Sequence, residues 1–249
     1  MQIAYQSSRG MVRAKNEDAV GSFLNSDQLL LALIADGIGG NNAGEVASKM
    51  AVSQLGNHFR KTDFSNLDEA KKWFAQELVE INELIIKKAN EDIKYAEMGT
   101  TIVAALIAGQ QLLLANLGDS RGYVLHENKL IQLTEDHSYV NELVKSGNMT
   151  PDEAETNPYK NIITKSLGIN NDANADYYYY NSTVGDLILL CTDGLTNMVS
   201  SEQIQKILAM DVPLSVKCQN LITLSNQNGG ADNITVLLVQ NDGEVNSDA

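Results

Sequence analysis

Five aspartates stand where apolar segments begin or end. LLLALIA (29–35) runs into Asp36, LLLANLG (112–118) into Asp119, and LILLCT (187–192) into Asp193. Two further segments carry the acid at the front, with Asp18 before AVGSFL and Asp232 before NITVLLV. In an antiparallel sheet the end of one strand lies beside the start of its neighbour, so three end positions and two start positions can share one edge. One such Asp reads as a turn or capping residue. Five of them at the ends of apolar strands call for a common explanation. Clustered carboxylates repel one another and take up protons unless cations lie between them. Hard, oxygen-seeking Mg²⁺ or Mn²⁺ suits such a donor set.

Arginine is scarce, and two of the four residues lie near these acids: Arg13 five positions before Asp18, and Arg121 two after Asp119. A guanidinium there fits a phosphate oxygen by bidentate contact. A salt bridge to one of the acids competes with that role, more for Arg121 than for Arg13. GIGGNNAGE (37–45) lacks the third glycine of a dinucleotide loop and has no Lys-Ser/Thr after it. His58, His126 and His137 have no metal-ligand spacing and read as structural. EDHS (135–138) offers Asp, His and Ser, but triad members come from separate segments. Cys191 and Cys218 sit in apolar surroundings and read as free buried thiols, Cys191 too deep to serve as a nucleophile.

The elements that must position these residues follow from periodicity. Ala47, Ala51, Leu55 and Phe59 make one stripe of a helix over 45–59. Ala70, Phe74, Leu78, Ile81, Ile85 and Ala89 make another over 67–90, with Ser65 or Asn66 as N-cap. Later helices are expected over 201–210 and from Pro213 to the stop at Gly229-Gly230. Strands are read at AVGSFL, LLLALIA, TTIVAALIA, QLLLANLG, RGYVLHE, KLIQLT, DLILLCT and NITVLLV, with hairpin turns at 108–111 and 126–129. YYYY (177–180) reads as a strand with two rings inward and two outward. Strands apolar throughout need cover on both faces, which two packed sheets with helices outside would provide.

Composition bounds the rest. The chain has 249 residues, 43% hydrophobic and 20% charged, as in a globular protein with a sizeable core. With only three prolines and no linker it reads as one domain over 1–240 and a short tail over 241–249. A net charge of −14 opposes non-specific binding to nucleic acid or an anionic membrane. The opening MQIAYQSSRG has no secretory pattern, and no apolar run nears the roughly 20 residues needed to span a bilayer. The expected location is the cytoplasm.

Eight segments, in order, carry a resemblance: GMVRAKNEDA, ADGIGGNNAGE, GTT (99–101), NLGDSRGY, LTEDHS, ITKSLG, GDLILLCTDGLTNMV and GGADNITVLLV. Together they span about residues 10 to 240, and the chain resembles the metal-dependent protein phosphatases of the PPM or PP2C type in their compact bacterial form. The resemblance implies an α+β fold, a four-layer αββα sandwich of two antiparallel sheets flanked by helices. It implies hydrolysis of phosphoserine and phosphothreonine by a metal-bridging hydroxide. Two ions, Mn²⁺ or Mg²⁺, would share Asp36, with the Gly37 carbonyl on one and Asp18, Asp193 and Asp232 around the other. A third would lie near Asp119 and Asp193. Arg13 would hold phosphate and, with Asp36, form the catalytic pair. The implied partners are phosphoproteins, expected to be substrates of a bacterial Ser/Thr kinase that this chain opposes, and the kinase itself. The segment 140–167 would be a flap, in which TPDEA reads as a helix start with Thr150 as cap and Pro151 in the first turn.

The departures are few. Ile38 and Asn41 stand where histidine is frequent, and Asn157, Lys160 and Lys165 replace the usual His or Arg of the flap. Ile38 leaves no side-chain acid at that place for the leaving oxygen. An inactive relative acting as an interaction module would have lost one or more metal acids, and none is missing. A metal-binding sensor without turnover is the other alternative, separable by phosphate release from an aryl phosphate with Mn²⁺.

Overall fold

A computed structural model describes residues 1–39, 43–64 and 66–242. The strands are β1 (Gln2–Ser8), β2 (Ala19–Leu24), β3 (Leu30–Ala35), β4 (Gly37–Ile38), β5 (Gly99–Thr100), β6 (Ile102–Ala108), β7 (Gln111–Leu117), β8 (Arg121–His126), β9 (Lys129–Gln132), β10 (Asp176–Asn181), β11 (Leu187–Cys191) and β12 (Ile234–Gln240). The helices are α1 (Gly44–Phe59), α2 (Leu67–Glu91), α3 (Tyr139–Lys145), α4 (Pro151–Thr156), α5 (Asp193–Thr196), α6 (Ser201–Leu208) and α7 (Leu214–Gln227). One five-stranded sheet has the order β1-β12-β11-β8-β9, the other β10-β7-β6-β3-β2, and β4 pairs with β5 as a two-residue extension. Every pairing is antiparallel.

The period-two geometry of a strand explains the continuous apolar runs. In β3, Ala32 and Ile34 face the other sheet together with Val103, Ala105, Leu112, Leu114, Ile188, Leu190, Leu237 and Val239. The alternate residues Leu31, Leu33 and Ala35 face α1 and α2, meeting Ala47, Ala51, Leu55, Phe59, Phe74 and Leu78. On the far side Leu187, Leu189, Cys191, Val236 and Leu238 pack on α6 and α7 through Ile204, Leu208, Cys218 and Leu221. Three stacked apolar layers between four layers of structure give the αββα sandwich.

The helix ends have local causes. The Asn66 side chain accepts the Glu69 amide at 3.0 Å and caps α2; the alternative cap, Ser65, lies outside the described residues. The helix expected over 201–210 ends as α6 at Leu208, and Ser200 and Gln203 form its capping box. Thr150 and Glu153 form the capping box of α4 with Pro151 in its first turn. Beyond α7 the chain turns at Gly229 and Gly230, with φ of +128° and +52°.

Besides the short elements β4, α3 and α5, which the sequence reading did not expect, two features differ from it. β1 was not expected; its QIAYQSS is polar enough to hide, because this edge strand packs only partly, and it pairs along its whole length with β12. In β10, Tyr178 and Tyr180 pack between the sheets, Tyr177 packs into the helical layer, and only Tyr179 turns outward, donating its hydroxyl to Asp68 at 2.9 Å. With both faces of the sheet covered, a ring on the outer face meets a helix before it meets water. Among the described residues no helix is long and apolar enough to cross a membrane.

Leu190, fully buried between the sheets, tests this layering. Leu190→Ala should lower unfolding free energy by about 3 kcal/mol, read as a lower urea midpoint at unchanged slope. Val184→Ala, at a position 62% exposed, should stay within about 0.5 kcal/mol of the parent.

Candidate metal centre

Strand register brings the acids to one end of the sandwich. Ala19 pairs with Ala35, so Asp18 and Asp36, each one residue beyond, lie side by side. The pairings Ile34–Val103 and Ile102–Leu117 carry the same end across β6 to β7, two residues before Asp119. In the other sheet Cys191 pairs with both Val236 and Arg121, which places Asp193, Asp232 and Asp119 around the end of β11. The shared edge is therefore an end common to two sheets, with three acids from one and two from the other.

Small polar residues fix this end. The Asp36 amide donates to Thr101 Oγ1 at 3.0 Å, and its carbonyl accepts the Thr101 amide at 2.9 Å and the Thr100 hydroxyl at 2.8 Å. Asp18 is buried, and its Oδ2 accepts from Thr235 Oγ1 at 2.6 Å and Thr192 Oγ1 at 3.1 Å, both from the opposite sheet. Asp193 Oδ2 accepts from Asn197 Nδ2 at 2.9 Å. Asn233 donates its amide to Asp232 Oδ1 and accepts the Glu17 amide, each at 2.8 Å, while its Nδ2 donates to the carbonyls of Arg9 and Lys15. It therefore holds the loop carrying Arg13 against Asp232. Thr101, Thr192, Thr235, Asn197 and Asn233 were not singled out from sequence; the only signal was their place inside or beside the acid-bearing segments. Gly37 is obligatory, since a Cβ there would lie 2.5 Å from backbone atoms of Glu17 and Gly44.

The charges are in tension. Burial first, then the nearby aspartates, pushes Asp18 up to about 7 and Asp119 to about 8. Asp193 rises to about 6 for the same reasons, opposed by its contact with Asp36. Asp36 is held well above the usual carboxylate range by burial and by Asp18, Asp193, Asp119 and Asp232 in turn. Its carboxylate thus feels all four of the others. Among the described residues no three acidic, histidine or cysteine side chains close on a single point as a ligand cluster; the acids share a field rather than a closed shell. The donor set nonetheless fits a hard divalent cation. It is all oxygen, and the buried Oδ1 atoms of Asp18 and Asp119 have no hydrogen-bond partner.

Other expected residues fall as follows. Arg13 is more than half exposed and its Nη2 reaches Asp232 Oδ2 at 2.7 Å. Arg121 pairs with none of the five acids; it forks onto Asp136, Nη2 to Oδ2 at 2.6 Å and Nε to Oδ1 at 2.9 Å. So it is Arg13, not Arg121, that forms a salt bridge within the group. Cys191 and Cys218 are free and buried, and burial pushes the Cys191 thiol up to about 12. His58 pairs with Glu77, His126 with Asp186 and His137 with Asp176. Lys165 lies 3.6 Å from Asp176. Asn157 caps the end of α4. Lys160 lines a groove of about 860 Å³ that runs from Asp119 and Asp193 to α3 and α4. Ile38 lines a separate hollow with Ile86, Ala89, Asn90, Glu97 and Ile169. Asn41 lies outside the described residues.

The family pattern described as Protein phosphatase 2C matches residues 7–241. The serine/threonine phosphatase stp of Listeria welshimeri is 42% identical over 241 residues, covering 96% of each chain. Protein phosphatase PhpP of Streptococcus pneumoniae is 41% identical, covering 96% of this chain and 97% of its own. Among solved structures, the S. agalactiae serine/threonine phosphatase superposes with a TM-score of 0.92 at 40% identity, covering 95% of this chain and 98% of that one. The catalytic domain of the serine threonine protein phosphatase PstP in complex with 2 manganese ions gives 0.83 at 34%, covering 96% and 97%.

Raised carboxylate pKa values mean that the folded state holds more protons than the unfolded chain between about pH 4 and 8. That stability is fully present below the unfolded pKa and is lost as pH rises through the folded values. In chelator, the melting temperature should therefore fall steadily from pH 5 to pH 8, and Mn²⁺ should raise it more at pH 8 than at pH 5. Asp36→Asn should melt higher than the parent in chelator at pH 8. A flat profile with no gain in the variant would show that the acids do not strain the fold.

Proposed function

The chain belongs to the protein phosphatase 2C family and is a protein serine/threonine phosphatase, and from that premise we propose how its residues divide the work. Asp36 and the Gly37 carbonyl hold one divalent cation, and Asp36, Asp18, Asp193 and Asp232 hold a second. Asp119 with Asp193 holds a third. The observation that carries this reading is Asp36 in the field of all four other aspartates. The complex of a PstP relative with 2 manganese ions supports it. Mn²⁺ and Mg²⁺ both suit the donors. When bound, the cations supply Lewis-acid charge and lower the pKa of water in the site.

The remaining chemistry belongs to the chain. Thr192 and Thr235 keep one oxygen of Asp18 engaged and leave the other for a cation. Arg13, exposed on a loop pinned by Asn233, exchanges Asp232 for a phosphoryl oxygen and offsets charge that develops there. No phosphoenzyme is needed, and Cys191 does not serve as nucleophile, because burial pushes its thiol up to about 12. Ile38 carries no proton for the leaving oxygen. The groove beside Asp119 and Asp193 receives the substrate chain, with Lys160 on its wall. Bound cations reverse the local field and let a chain of net charge −14 accept a phosphorylated substrate. Residues 1–240 act as one catalytic unit, with 140–167 as flap. The physiological substrates are phosphoproteins of a bacterial Ser/Thr kinase, the kinase itself included, and the place of action is the cytoplasm.

Asp36→Ala should abolish, by calorimetry, binding of the two Mn²⁺ ions that Asp36 shares, together with hydrolysis of an aryl phosphate; full activity in that variant contradicts the assignment. Loss of one charge-assisted contact is worth about 1.5–3 kcal/mol. Arg13→Ala should therefore lower kcat/KM about 10- to 100-fold with Mn²⁺ binding retained.

A further inference from the structure

One histidine does more than fill space. His137 is only 5% exposed, and it grips Gly118, the residue immediately before Asp119, from two sides. Its Nδ1 accepts the Gly118 amide at 3.0 Å, and its own amide donates to the Gly118 carbonyl at 2.9 Å. Gly118 has φ of +121°, and a Cβ there would lie 2.6 Å from the Thr101 side chain, so this bend admits only glycine and has no side chain to fix it. A backbone amide can only donate. Nδ1 must therefore be bare, and the ring proton sits on Nε2, donated to Asp176 Oδ2 at 3.1 Å.

The same residue belongs to the neck of the flap. The His137 carbonyl accepts the Thr164 amide at 2.9 Å, and Tyr139 donates its amide to the Ile162 carbonyl at 2.8 Å. Ser138 and Ile163 form an isolated antiparallel bridge between these contacts. The two ends of the 140–162 excursion are thus stitched together at the residue that holds the Asp119 turn. Asp176, which fixes the ring, also lies 3.6 Å from Lys165 on the returning segment of the neck.

We infer that His137 is a positioning residue that ties the flap neck to the turn carrying Asp119, so that cation affinity at Asp119 and order in the flap rise and fall together. A displaced flap would pull on the 137–139 segment and, through His137, tilt the carboxylate that follows Gly118. A cation held by Asp119 would in turn fix the neck. The inference rests on the reading of Asp119 with Asp193 as a cation site.

Two substitutions separate this role from simple packing. Asn presents its Oδ1 where His presents Nδ1, whereas Leu keeps the bulk without an acceptor. In His137→Leu the Asp119-dependent Mn²⁺ step in calorimetry should weaken about 10- to 100-fold, the range typical for partners that orient ligands. In chelator, the Gly118 amide should exchange with solvent at least about 10-fold faster, the rate following the loss of its acceptor. Mn²⁺ should no longer slow tryptic cleavage at Lys145 and Lys160. His137→Asn should restore all three to within about 3-fold. Equal behaviour of the Leu and Asn variants, or a Leu variant indistinguishable from the parent, overturns the inference. Should the Leu variant not fold, Asp176→Ala, at a position accessible to solvent, must weaken the same Mn²⁺ step, and parental binding there overturns the inference equally. Asp119→Ala serves as the reference: if it binds Mn²⁺ as the parent does, the cation reading itself fails and the coupling falls with it.

Discussion

Like charge in a confined, poorly solvated place is the constraint on which the rest of this molecule depends. Five carboxylates meet at one end of a sandwich whose interior is otherwise aliphatic. Burial disfavours the ionised form of four of them and proximity adds repulsion, so Asp18, Asp36, Asp119 and Asp193 are all held above the usual carboxylate range. A fold optimised for stability alone would place asparagine, threonine or an apolar residue at these positions. Their retention as acids makes sense when positive charge enters the space between them, and the energy of that encounter is then available for binding and polarising a phosphoryl group.

The architecture makes such a cluster tolerable by distributing its supports. Antiparallel pairing puts strand ends and strand starts at one end, so residues far apart in sequence become neighbours without any long loop. Both sheets contribute: Asp18 belongs to one, yet its hydrogen-bond donors, Thr192 and Thr235, belong to the other. The site thus depends on the two sheets keeping their relative position, which the aliphatic layer of Ala32, Ile34, Val103, Leu114, Leu190 and Leu237 secures. Core packing and chemistry are linked through this single interface.

Much of this was legible in the sequence because buried strands and strand-end acids are both local patterns. LLLALIA-Asp36 announces an apolar strand and an anomalous charge in eight residues, and three repetitions of that pattern pointed to one shared edge. The paired helices α1 and α2 were equally plain from their stripes. The edge strand β1 was not, because an exposed edge needs neither strict alternation nor strong hydrophobicity. Nor were the partners of Arg13 and Arg121, since Asp232 and Asp136 lie at sequence distances that carry no signal. Thr192, Thr235 and Asn233 are common polar residues whose role exists only once two sheets face each other. His137 read as structural from its spacing, and its grip on Gly118 appears only in three dimensions.

The most direct test of this account is anomalous diffraction from crystals grown with Mn²⁺. Two strong peaks should lie within ligand distance, about 2.0–2.3 Å, of Asp36, with Asp18, Gly37, Asp193 and Asp232 completing their shells. These five groups left without manganese at saturating concentration, whether or not it binds beside Asp119, would contradict the account.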